Sequence, residues 1–173
     1  MREAGFPFEV RLKPVEEYYP EDMEKEEVPL YLSQLKAAAF KDELLEGEIL
    51  ITADTVVCLQ GRILGKPNGR EEAIRMLQAL SGCCHTVVTG VCLTSCQWQH
   101  AFSVRTKVFF KVLTLDEIMY YVDTYKPFDK AGAYGIQEWI GYIGIGRIEG
   151  SFYNVMGLPV QRVYEALQRI EEY

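Results

Sequence analysis

The sequence predicts an α/β domain built on a mixed sheet. Three observations carry that reading. Ile49–Ala53 is a short, mostly apolar run, the pattern of a strand covered on both faces. Apolar residues recur at helical spacing around Tyr31–Ala39, Glu71–Leu80 and Val160–Ile170. Between the second and third of these lie two long alternating segments, His85–Leu93 and Val104–Val112, that read as a hairpin. Interleaved strands and helices of this kind predict an α/β layer architecture. With 173 residues, 49% hydrophobic and 25% charged, the chain has the composition of an ordinary globular domain. Its length fits one domain, residues 1–173.

Taken in order, Phe6–Leu12 alternates apolar and polar residues and predicts a strand. Glu16, Glu17, Glu21, Asp22, Glu24, Glu26 and Glu27 surround Pro20 and read as a solvated loop. Pro29 suits the first turn of a helix. Tyr31, Leu32, Leu35, Ala38 and Ala39 form its expected buried stripe, with Ser33 and Lys36 on a flank that can face a cleft. After Asp54 the apolar pattern resumes at Thr55–Leu59, and Gln60-Gly61-Arg62 reads as a hairpin turn. Gly65–Gly69 is a loop. The helix over 71–80 buries Ala73, Ile74, Leu77 and Leu80, with Glu71 and Arg75 one turn apart. Trp98-Gln99-His100 is the expected tip of the long hairpin. Thr114 and Glu117 form a capping box that opens a helix toward Val122. Asp129–Gly135 is a glycine-bearing loop and Ile140–Ile148 a further strand. Pro159 opens a last helix with Val160, Val163, Tyr164, Leu167 and Ile170 on one side.

Composition also excludes functions. No run approaches the roughly 20 apolar residues of a membrane span. Met1–Gly5 is not followed by the apolar core of a signal peptide, so a cytoplasmic setting is expected. A net charge of −7 argues against binding a nucleic-acid polymer. A small anion is compatible with that charge if local cations or a metal counter it. The five cysteines, Cys58, Cys83, Cys84, Cys92 and Cys96, form no CxxC pair and read as buried reduced thiols.

Asp54 is the most informative residue. A carboxylate ending a buried strand is costly unless it is paired or bound to metal, and strand ends are where α/β sheets place ligands. Alone, Asp54 also reads as a turn cap. Lys66, between Gly65 and Pro67, is a cation on a stiff loop or simply a solvated lysine. No complete dinucleotide-binding or Walker A glycine motif is present.

The order of short motifs is more specific than any one of them. Lys36-Ala37 is followed by Ala53-Asp54-Thr55-Val56-Val57, Gly65-Lys66-Pro67, Leu80-Ser81-Gly82 with His85, and Thr106 with Phe110. Then come Asp129-Lys130-Ala131-Gly132-Ala133-Tyr134-Gly135-Ile136-Gln137, Ile148-Glu149-Gly150-Ser151 with Asn154, and Gly157-Leu158-Pro159. From about Phe6 onward this string resembles the Maf family of nucleoside triphosphate pyrophosphatases, also called septum formation inhibitor Maf-like proteins. The resemblance implies an elongated mixed sheet flanked by helices, with a cleft between two lobes. It implies a cytoplasmic enzyme, commonly a homodimer, that converts a nucleoside triphosphate to the monophosphate and pyrophosphate with Mg²⁺ or Mn²⁺. Such enzymes clear unwanted nucleotides and are linked to arrest of septum formation.

The same resemblance implies roles by position. Asp54 is the proton acceptor for water and, with Glu17, a metal ligand. Lys36 and Lys66 contact phosphates. Thr55 and Gln137 occupy the two positions that sort the subfamilies, in the pattern of the dTTP/UTP branch, and they argue against a purine-type inosine triphosphatase. Lys130 is a further cleft residue or a structural one. Gln137 offers a donor and an acceptor, which suits the edge of a pyrimidine, and Gly132 and Gly135 allow close backbone approach. The family's Ser-x-Ser-Pro-Arg-Arg motif has no counterpart before Phe6, and Glu16 stands where an Asp is usual. Two arginine forks are strong phosphate ligands, so weak activity, or a non-catalytic role in binding nucleotide or a division partner, is the alternative expectation.

Overall fold

The computed structural model describes residues 1–170. Its centre is a five-stranded sheet of order β2-β1-β3-β4-β5. These strands are β1 Leu50–Leu59, β2 Arg62–Leu64, β3 Cys84–Thr94, β4 Gln99–Phe110 and β5 Ile145–Glu149. Helix α1, Val28–Ala38, covers one face. Helices α2 Arg70–Leu80, α3 Leu115–Tyr125, α4 Trp139–Gly144 and α6 Val160–Ile170 pack on the other, with the single turn α5, Phe152–Val155. The chain is thus α/β with a sheet flanked by helices. Among the described residues no helix is long and apolar enough to cross a membrane.

The expected mixture of strand directions is corrected by the pairing: every described pair is antiparallel. The reason is strand order. Helix α2 crosses from β2 to β3, which run in the same direction, as a helical crossover requires. Strand β1 lies between them, antiparallel to both.

The two-residue turn Gln60-Gly61 has positive φ at both positions, 50° and 76°, which matches the twist of the β1–β2 hairpin. Alternation along β1 divides its side chains. Val56 and Cys58 join Val28 and Leu32 under α1, while Val57 and Leu59 join Ala73, Leu77 and Leu80 of α2 on the opposite face. Gly90 of β3 faces α1. A Cβ there would lie 2.3 Å from the backbone of Pro29 and Leu30, so the missing side chain is what lets α1 lie against the sheet.

Several local expectations are revised. Phe6–Leu12 forms no strand; it is extended chain without a ladder partner, and Leu12 is 92% exposed. Ile140–Ile148 is not one strand but α4 followed by β5. Its isoleucines fit either period over so short a run. The hairpin tip is Ser95–Trp98, and Gln99 and His100 already belong to β4. Ser33 is fully buried, its hydroxyl donating to Leu30 O at 2.7 Å, whereas Ala38 of the expected stripe is exposed. The ion pair of α2 runs from Arg70 to Asp123 on α3, at 2.6 Å, not between Glu71 and Arg75. The thiols are all free, as expected, but only Cys58 and Cys92 are buried. On α6, Val163 is buried and Tyr164 exposed; the side chain of Ile170 lies outside the described residues.

Candidate active site

Asp54 lies in the middle of β1, not at its end. It nevertheless borders an open margin. β2 pairs only with Val57–Leu59, so among the described residues the stretch from Leu50 to Val56 has a strand neighbour on one side only. Asp54 stands opposite Gly90 and on the α1 face, where the close approach of the helix brings Lys36 to it. Thr52, one step along the same face, donates to Ser33 O at 2.7 Å and fixes the helix axially.

Lys36 Nζ donates to Asp54 Oδ1 at 2.6 Å and lies 2.9 Å from Glu17 Oε1. The Asp54 side chain is 13% exposed and that of Glu17 51%. Burial raises the Asp54 pKa above the ordinary carboxylate value, and the nearby Glu17 charge adds to this, while Lys36 and Lys66 oppose it. For Lys36, burial is the largest single influence and pulls downward. The combined hydrogen bonds and charges of Asp54 and Glu17 outweigh it and raise the ammonium pKa.

Two loops complete the margin. Gly132 N–H donates to Gly65 O at 3.0 Å, tying the loop that carries Lys66 to the loop that carries Lys130. Lys66 is exposed, and its charge reaches both Asp54 and Asp129. It makes no ion pair among the described residues. Lys130 Nζ is held by Asp129 at 2.9 Å and Glu138 at 3.3 Å.

The remaining predicted residues sit apart. Thr55 points away from Asp54, to the opposite face, where its hydroxyl meets Thr89 Oγ1 at 2.9 Å and Gly157 O at 3.4 Å. Thr89 in turn donates to Asn154 O at 3.1 Å. Gln137 is exposed and lines a separate hollow of about 380 Å³ with Tyr142, Arg147 and Phe152. The structure therefore gathers Glu17, Lys36 and Asp54 in direct contact and places Lys66 within charge range. It leaves Thr55 and Gln137 outside that contact group.

The sequence profile of the Maf-like protein family matches residues 1–170. This chain belongs to the Maf family. Three curated relatives are each named dTTP/UTP pyrophosphatase. That of Bacteroides thetaiotaomicron is 54% identical over 171 residues, covering 98% of this chain and 89% of the relative. That of Porphyromonas gingivalis is 54% identical over 169 residues, covering 95% and 84%. That of Christiangramia forsetii is 48% identical over 169 residues, covering 98% and 86%.

The Maf chain's acidic residues can be tested against a divalent ion. Among the described residues no three Asp, Glu, His or Cys side chains converge as a metal cage. Glu17 and Asp54 do converge on one cation, the Lys36 ammonium. Two carboxylates around a positive charge match a Mg²⁺ ion that takes its other ligands from substrate phosphates and water. Glu17 and Asp54 are the residues that would hold such an ion.

Three contributors escaped sequence reasoning. Gly90 left a signal, a glycine inside an otherwise regular strand pattern. Glu138 and Tyr121 left none: the Tyr121 hydroxyl donates to the Glu138 carboxylate, which in turn meets Lys130, and these contacts join segments distant in the chain.

Proposed function

We infer that this Maf protein hydrolyses dTTP and UTP to the nucleoside monophosphate and pyrophosphate. The observation that carries the reading is the Lys36–Asp54 pair at an open margin of the sheet, with Lys66, which makes no ion pair among the described residues, within charge range of Asp54. A water placed in line forms a new bond from its oxygen to the α-phosphorus, and the bond from that phosphorus to the bridging oxygen breaks. Asp54 accepts the water's proton. Its raised pKa makes it a better proton acceptor than a fully hydrated aspartate. Lys36 holds the carboxylate in place. Lys66, with no anion in contact among the described residues, is available to meet the negative charge on the departing pyrophosphate. A divalent cation, Mg²⁺ or Mn²⁺, held by Asp54 and Glu17, would neutralise phosphate oxygens.

Base selection is the part of Gln137, whose amide offers a donor and an acceptor to a pyrimidine. Thr55 acts on it at a distance, by supporting the Asn154–Gly157 segment from the far face. The family resemblance supports a homodimer in the cytoplasm.

The test is release of pyrophosphate from a panel of nucleotides in the presence of Mg²⁺. dTTP and UTP are expected to lead the panel, and Asp54→Asn to lower kcat by roughly 10² to 10⁴. Chelation should abolish turnover and added Mg²⁺ or Mn²⁺ restore it. Equal rates for the variant and the parent would remove Asp54 from its role.

A further inference from the structure

One buried hydroxyl ties down the loop between Asp129 and Glu138. Tyr121 of α3 is 0% exposed. Its phenol oxygen accepts the Gly135 N–H at 3.0 Å and donates to Glu138 Oε2. The other carboxylate oxygen of Glu138 lies 3.3 Å from Lys130 Nζ. Burial, then the hydrogen bond to Glu138, raises the Tyr121 pKa far above the usual tyrosine value, so the hydroxyl stays a donor. A Cβ at Gly135 would lie 3.0 Å from the Glu138 carboxyl carbon and 3.1 Å from Lys130 Cε, so these three residues are packed against one another.

The two anions that meet Lys130 are not equivalent. The Asp129 side chain is 76% exposed, and a contact of that kind immobilises little. Glu138 is 20% exposed and is itself fixed by Tyr121. A free lysine side chain carries rotamer entropy that a ligand contact must overcome. The Tyr121–Glu138 link removes part of that freedom beforehand. Among the described residues it leaves one of the three ammonium N–H groups without a carboxylate partner.

We propose that Tyr121 and Glu138 are positioning residues that aim Lys130 at the pyrophosphate part of the substrate. The pyrophosphatase reading above supplies the ligand class on which this rests. Tyr121 and Glu138 touch no phosphate themselves; they act through Lys130.

Calorimetric binding of inorganic pyrophosphate with Mg²⁺ tests this without turnover. Tyr121→Phe keeps the ring and removes the hydroxyl. It should weaken pyrophosphate about tenfold, well below its own melting temperature, and speed amide exchange at Gly135. Lys130→Met should weaken binding to a similar degree, and the double variant should bind no more weakly than Lys130→Met alone. Glu138→Gln, on a partly exposed side chain, covers the case in which Tyr121→Phe does not fold. Were Glu138 only a nearby negative charge, its removal would tighten binding of an anion; positioning requires weaker binding. Unchanged affinity in Tyr121→Phe, additive losses in the double variant, or tighter binding by Glu138→Gln each overturns the proposal, as does a parent that binds no pyrophosphate. A parent that binds pyrophosphate but turns over neither dTTP nor UTP overturns the pyrophosphatase reading instead.

Discussion

His85 shows how one buried side chain ties stability to pH. It is 2% exposed, its Nε2 lies 2.7 Å from the Tyr134 hydroxyl, and its ring stacks on Phe110 at 5.5 Å. Its Nδ1 has no hydrogen-bond partner among the described residues. Burial lowers the pKa from 6.5 to about 4. The unfolded chain therefore takes up a proton at this residue before the folded chain does. The stability contributed by neutral His85 is complete above about pH 6.5 and is lost progressively as pH falls toward 4. Between pH 7 and pH 5 the loss should be about 2 kcal/mol. Urea denaturation at both values measures it, and His85→Gln should remove most of that difference while lowering stability at pH 7. Asp54 works in the other direction for catalysis. As a base it must be ionised, and its pKa is raised by burial. The acid limb of kcat/KM should therefore fall at a higher pH than an ordinary aspartate would give, and a pH–rate profile measures its position.

The decisive element contact is α1 on β3 at Gly90. An added Cβ would meet backbone, not a flexible side chain, at 2.3 Å. Helix α1 must then lift, and Lys36 lifts with it away from Asp54. Gly90→Ala should cost about 3 kcal/mol by denaturant unfolding, and pyrophosphate release should fall further than the loss of folded protein explains. Elements defined by local chemistry were legible in the sequence. The Thr114–Glu117 capping box forms as read, with Glu117 N–H donating to Thr114 Oγ1 at 3.2 Å and Thr114 N–H to Glu117 Oε2 at 2.9 Å. The Gln60-Gly61 turn and the Ala73, Leu77 and Leu80 stripe are likewise in place. Phe6–Leu12 was not legible, because alternation describes a strand only when a neighbour pairs with it, and pairing is a property of the whole chain. Ser33 was misplaced for a related reason. Its hydroxyl is satisfied by Leu30 O within its own helix, which makes a polar residue affordable in the interface with β1. Of the site, Asp54 and Lys66 stood out as a carboxylate on a buried strand and a cation on a stiff loop, and the resemblance carried by the order of motifs added Lys36 and Glu17. The Tyr121–Glu138 link, joining α3 to the loop before α4, required the fold.

At the scale of the molecule, charge and site oppose one another. The chain carries −7 overall, from 25 acidic and 18 basic residues. Lys36 and Lys66 border Asp54, Lys130 stands on the loop tied to that of Lys66, and the acidic stretch Glu16–Glu27 contributes Glu17 to the site. A nucleoside triphosphate therefore meets repulsion from the whole body before it meets attraction from the margin. Which is felt depends on the screening length, about 30 Å at 0.01 M salt and about 10 Å at 0.1 M. The longer distance spans the molecule and admits the full net charge; the shorter one isolates the lysines. The value of kcat/KM for dTTP should thus rise a few-fold from 0.01 to 0.1 M salt, at fixed free Mg²⁺, before local attraction is screened in turn at higher salt. Replacing Glu21, Asp22 and Glu24 by their amides removes part of the repulsion without touching Glu17. It should raise kcat/KM at 0.01 M and flatten the early rise. A steady fall with salt from the lowest concentration, in parent and variant alike, would mean that the lysines govern approach at every distance.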